Sequence, residues 1–101
     1  MLMLNLQVDQ MKLEEICRRY GVEFLGVFGS AARGENQLDS DVDVLVKFSP
    51  DSHTSLMGMV RMEAELEKML GREVDLVTEG FLSKYFRGEV LRETRPLYGQ
   101  T

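Results

Sequence analysis

Apolar and polar positions follow two periods along this chain, and the switches between them mark out its elements. Leu13, Ile16, Cys17 and Tyr20 recur at i, i+3, i+4 and i+7, which predicts a helix over 9–20 with Asp9 at its start and Gly21 at its end. The apolar run then shortens to a strand over 23–28, rich enough in apolar residues to lie centrally in a sheet. Gly29-Ser30 turns the chain, 31–34 makes one or two helical turns ended by Gly34, and 35–40 is a polar loop. A second strand spans 41–48, with Val42, Val44 and Val46 on one face. Residues 49–55 form a loop carrying Pro50 and His53, the latter read as solvent-exposed. The clearest helix covers 56–70, its apolar set including Met57, Val60, Ala64 and Leu70, with Gly71 after it. A third strand runs over 73–77, and a last helix over 81–94 with Phe81, Leu82, Tyr85, Phe86 and Val90. Gly88 weakens that helix by about 1 kcal/mol. Residues 95–98 form a tail with room for one more short strand.

The order is helix, strand, short helix, strand, helix, strand, helix. It predicts an α/β (α+β) fold, a small mixed sheet with flanking helices, in one domain over 1–101. Twelve Lys and Arg against 17 Asp and Glu leave a net charge of −5, the wrong sign for a simple nucleic-acid binder. The charge does not oppose nucleotide binding, because a metal ion reverses the local sign. The one cysteine, Cys17, permits no internal disulfide and falls in an apolar helical stripe, where it reads as a small buried hydrophobe. Residues 1–8 are apolar but lack a basic start and a cleavage site, and no apolar run reaches the roughly 20 residues of a membrane helix. These features predict a cytoplasmic protein. Most of the seven methionines read as core filling.

The chemistry concentrates in two stretches. Gly29-Ser30 closes the first strand. It is either a plain turn with Ser30 capping a helix, or a corner where Gly29 admits a phosphate and Ser30 donates its hydroxyl to it. Asp41 and Asp43 open the second strand one residue apart, so both point the same way. Asp43 sits among Val42, Val44, Leu45 and Val46, where an unpaired carboxylate costs several kcal/mol. Ligation of a divalent cation removes that cost, and a salt bridge to Arg33 is the alternative. Asp39 shares the parity but precedes the apolar run and reads as a loop residue. Asp75 is the third acid within an apolar strand, and it completes a set of three if its strand neighbours that of Asp43. Three converging acids suit two hard cations. Arg33, three residues after Ser30, either meets phosphate charge or pairs with Glu35 or Asp41. No Cys–His or Ser–His–Asp arrangement competes with this set.

Taken together, Gly29-Ser30, ten intervening residues, Asp41-Val42-Asp43 and a later Asp75 resemble the polymerase β-type nucleotidyltransferases, and most closely their minimal branch, the MNT domains. The resemblance covers nearly the whole chain. It implies transfer of AMP from ATP to a hydroxyl, with two Mg²⁺ ions held at Asp41, Asp43 and Asp75. It implies further that Asp75 helps to deprotonate the acceptor, that Gly29 and Ser30 bind the triphosphate, and that Arg33 is a candidate there. The partner it implies is a HEPN-domain ribonuclease toxin, adenylylated on a tyrosine and so silenced. A contact-only antitoxin and a small-molecule adenylyltransferase are the alternatives. So short a chain offers little wall to hold an acceptor, so a protein acceptor bringing its own surface is expected. Phe81, Tyr85 and Phe86 read as core, with a docking face as the alternative.

Overall fold

The computed structural model describes residues 8–33 and 41–99. Its elements are α1 (Gln10–Tyr20), β1 (Val22–Phe28), β2 (Val42–Phe48), α2 (Leu56–Leu70), β3 (Val74–Thr78), α3 (Arg87–Glu93) and β4 (Arg95–Tyr98). They form a four-stranded mixed sheet in the order β3-β2-β1-β4. β1 runs antiparallel to β2 and β4, and β2 runs parallel to β3. The predicted fold class is the observed one, and the central place expected for β1 is also found. The tail over 95–98 is the strand for which the sequence left room.

Local chemistry accounts for the helix ends. The Asp9 side chain accepts from the Lys12 N–H, and Ser55 accepts from Gly58 in the same way at the start of α2. Ser52 and Thr54 hydroxyls both donate to the Tyr20 carbonyl, at 3.0 and 2.6 Å, which ties the loop after β2 to the end of α1. Arg19 and the Tyr20 hydroxyl donate to Glu65 and join α1 to α2.

The sheet has two unlike faces. Residues opposite one another across neighbouring strands share a face. Leu25, Val27, Val42, Val44, Val46, Val74 and Leu76 therefore form one surface, and Leu13, Ile16, Cys17, Met62 and Leu66 of α1 and α2 pack against it. The other face carries Phe24, Gly26, Leu45, Asp43 and Asp75. The end of α3 covers part of it. A Cβ on Gly26 would lie 2.5 Å from the Thr94 methyl, so only glycine lets that segment approach.

Four expectations are corrected. In α2 the buried pair is Met62 and Leu66, with Met59, Met69 and Leu70 packed beside them, whereas Met57 and Val60 are exposed. The helix carries two apolar stripes, and the one spaced 59, 62, 66, 69 meets the sheet. The last helix is shorter than 81–94: a single 3-10 turn, Glu79–Phe81, precedes α3, and residues 82–86 lie between them outside any helix. Phe81, Tyr85 and Phe86 stand 76%, 82% and 61% exposed, so they belong to the surface and not to the core. The methionine default fails at Met11 as well as Met57, both of which are exposed. The turn after Gly29 is one helical turn, with the Ala32 and Arg33 N–H groups donating to the Gly29 carbonyl. Its stop at Gly34, the loop over 35–40 with Glu35 and Asp39, and the apolar start before Val8 lie outside the described residues. No helix among the described residues is long and apolar enough to cross a membrane.

β3 is an edge strand, and its outer N–H groups are occupied. Glu67 accepts from Val74 N–H and Glu63 from Leu76 N–H, each at 3.0 Å. The two glutamates are four apart on α2, so one helical stripe serves alternate residues of the strand.

Candidate active site

Sheet register builds the site. Asp43 lies opposite Phe28 on β1 and opposite Asp75 on β3. One row across three strands therefore carries two acids and ends where β1 gives way to Gly29. The adjacency on which the three-acid reading depended is present. Asp43 is half-buried and Asp75 is exposed, so one acid is set back in the sheet and the other is open to an arriving group.

Gly29 has a φ of +74°, a left-handed conformation that favours glycine. A Cβ there would come within 2.5 Å of Asp43 Oδ2. The glycine thus serves two ends: it makes the turn, and it leaves room for the carboxylate beside it. Ala31 and Ala32 behind the turn are buried and anchor it to the core.

Electrostatics single out Asp43. Burial pushes its carboxyl above the usual carboxylate range. The Asp75 and Asp41 charges push the same way, the Arg33 charge opposes them, and Glu93 adds a smaller push. Glu73, at the foot of β3, is also raised, chiefly by a hydrogen bond with Asp41. Repelling carboxylates beside a glycine corner make a set of hard oxygen donors, and Mg²⁺ fits that donor set. Among the described residues no three His, Cys, Asp or Glu side chains are gathered as a ready ligand cluster. Asp41 acts on both Glu73 and Asp43 and raises the carboxyl of each. That is compatible with Mg²⁺, which takes one or two carboxylates and completes its shell with phosphate oxygens and water.

Arg33 does point to the corner, but its pairing was not foreseen. Its Nη1 donates to Glu93 Oε2 at 3.0 Å, and the Gly29 N–H donates to Glu93 Oε1 at 3.0 Å. Glu93 is a partner beyond Glu35 and Asp41, the two the sequence offers, and Glu35 lies outside the described residues. Glu93 reaches the corner because β4 pairs Arg95 with Val27, which sets the end of α3 beside the end of β1. One signal for it exists in the chain: an acid at a helix C-terminus, where the helix dipole disfavours negative charge.

The remaining candidates are inert or distant. Cys17 is fully buried, and burial pushes its thiol up to about 12, so it has no nucleophilic role. His53 is exposed, as expected. A cavity of about 310 Å³ opens between α1 and α2, lined by Lys12, Ile16, Arg19, Glu65 and Met69 among others, and it includes none of the candidate residues.

Comparison with known proteins agrees with this geometry. A family model described as a nucleotidyltransferase domain matches residues 10–97. The protein adenylyltransferase MntA of Thermococcus cleftensis is 45% identical over 80 residues, which is 79% of each chain. A solved structure provisionally assigned as a minimal nucleotidyltransferase is 40% identical, with a TM-score of 0.73 over 86% of this chain and 87% of that one. A toxin–antitoxin crystal structure with AMP-PNP shares the fold at 21% identity, with a TM-score of 0.72 over 93% of this chain and 76% of that one.

Proposed function

The chain belongs to the nucleotidyltransferase family, and from that membership we propose that it transfers AMP from ATP to a protein hydroxyl. The acceptor in this reading is a tyrosine of a HEPN ribonuclease toxin, and the modification makes the chain that toxin's antitoxin. The observation that carries the reading is the register of Asp43 against Asp75 beside the Gly29 corner.

Each residue has a task. Asp41, Asp43 and Asp75 would hold two Mg²⁺ ions, whose charge would neutralise the triphosphate and the leaving group. Gly29, Ser30 and Arg33 bind the triphosphate, the first two as N–H and hydroxyl donors and the last as a charged fork. Asp75, exposed at the edge of the sheet, orients the acceptor hydroxyl and takes its proton. The acceptor oxygen then bonds to the α-phosphorus as the bond to the bridging oxygen breaks, and pyrophosphate leaves. Such a displacement depends on alignment and charge, which suits a site with no nucleophile of its own. The likeness of the fold to a toxin–antitoxin complex supports a protein partner. The exposed Phe81, Tyr85 and Phe86 supply apolar surface for it.

The test is incubation with α-phosphate-labelled ATP, Mg²⁺ and a HEPN toxin. A labelled toxin band that disappears with Asp43→Asn is expected. A toxin that is bound and silenced without label would overturn the transferase reading.

A further inference from the structure

Glu93 stands where its own helix disfavours it. It is the last residue of α3, its side chain is only 28% exposed, and it adds negative charge to a corner already holding Asp43 and Asp75. An acid at a helix C-terminus is opposed by the helix dipole, and a cation is the favoured occupant there. What the carboxylate does at that point is specific: its two oxygens take separate donors, the Gly29 N–H and the Arg33 guanidinium, each at 3.0 Å. A backbone N–H in a tight turn and an arginine fork are the two kinds of donor that receive phosphate oxygens.

We propose that Glu93 is a built-in competitor for the triphosphate. Its carboxylate occupies the Gly29 and Arg33 donors in the empty site, and a nucleotide binds by displacing it. The inference rests on the nucleotide site described above and adds a second property to it. While the site is empty, Glu93 keeps the corner in an anion-accepting shape and keeps Arg33 aimed inward. When a triphosphate enters, the end of α3 loses its hold on β1. The release passes directly to Thr94, whose methyl lies over Gly26 and whose hydroxyl donates to the Val90 carbonyl at 2.6 Å. Occupancy of the site is thereby transmitted to the helix that follows the exposed Tyr85 and Phe86.

Calorimetric titration of the full chain with MgATP, and separately with inorganic tripolyphosphate and Mg²⁺, tests this. Glu93→Gln keeps the shape of the side chain and removes its charge. The expected result is binding of both ligands about tenfold tighter than wild type, the scale of one unit charge near a protein surface. An intact melting transition with MgATP affinity unchanged or weakened would overturn the proposal, because a residue that only braces the corner gives that result. If wild type and Glu93→Gln both fold and neither binds MgATP, the nucleotide site itself is wrong and the competitor falls with it. Should Glu93→Gln fail to fold, wild-type hydrogen exchange gives the answer. Tripolyphosphate should speed exchange over residues 90–95, and protection there would overturn the proposal.

Discussion

Along β2, Val42, Val44 and Val46 turn to the face that α1 and α2 cover, while Asp43 and Lys47 turn to the other. The strand is one, yet its two surfaces answer to different demands. On the first, apolar groups meet apolar groups and the fold is stabilised. On the second, Asp43 is half-buried beside Asp75 with its carboxyl pushed upward, an arrangement that costs free energy. The glutamates bordering β3 make the contrast sharper. Glu63 and Glu67 have their charge matched to backbone N–H groups of that strand, whereas Asp75 on the same strand stands exposed beside Asp43.

If the contrast is real, substitutions on the two faces should separate activity from stability. The largest effect is expected from Asp43→Asn. AMP transfer should fall by about a thousandfold, equivalent to about 4 kcal/mol of barrier. The melting temperature without Mg²⁺ should hold or rise, since a repelling charge is gone. MgATP should raise the melting temperature of wild type and not of this variant. Retained transfer would break the comparison. Leu66→Ala, on the covered face, should do the reverse: a loss of about 2–5 kcal/mol in denaturant unfolding, with transfer per folded molecule preserved. Glu63→Ala with Glu67→Ala should lose about 1 kcal/mol each and leave transfer intact. A loss of transfer with stability unchanged would move those glutamates into the site. Ser30→Ala should weaken MgATP binding severalfold, about the scale of one hydrogen bond to a charged group, and shift the unfolding midpoint little. Equal affinity would return Ser30 to a helix-capping role.

The smallest effect concerns Glu65 between the two covering helices. Hydrogen bonds from Tyr20 and then from Arg19 hold its carboxyl below the usual range. A folded value below the unfolded one contributes stability above the ordinary carboxylate range, and that contribution is lost as pH falls through the folded value. Glu65→Gln should therefore flatten the acid side of the melting-temperature profile, slightly, because the group is partly exposed to screening solvent. An unchanged acid slope would assign that limb to other carboxylates.

Much of this contrast is legible in the chain. Period-two alternation exposes Asp43 and Asp75 as acids in apolar strands, and a glycine after β1 marks the corner. The order of the strands is not legible, because nothing local states that β3 lies beside β2; the α2 crossover decides it. The choice between the two stripes of α2 is likewise made by the sheet and not by the helix. Glu93 escapes for a similar reason. In Arg92-Glu93-Thr94 the one signal is an acid at a helix end, which names no partner, and only the pairing of β4 with β1 carries it to Gly29.

The occupied edge of β3 has a consequence for assembly. With Glu63 and Glu67 on its outer N–H groups, that edge offers no template to a foreign strand. At the opposite edge β4 carries Pro96, which has no N–H to offer. A small sheet blunted on both sides resists growth into fibrils by strand addition, even with large apolar side chains exposed nearby. With strand addition disfavoured at both edges, side-chain packing is the route the sheet leaves to a protein that associates with it.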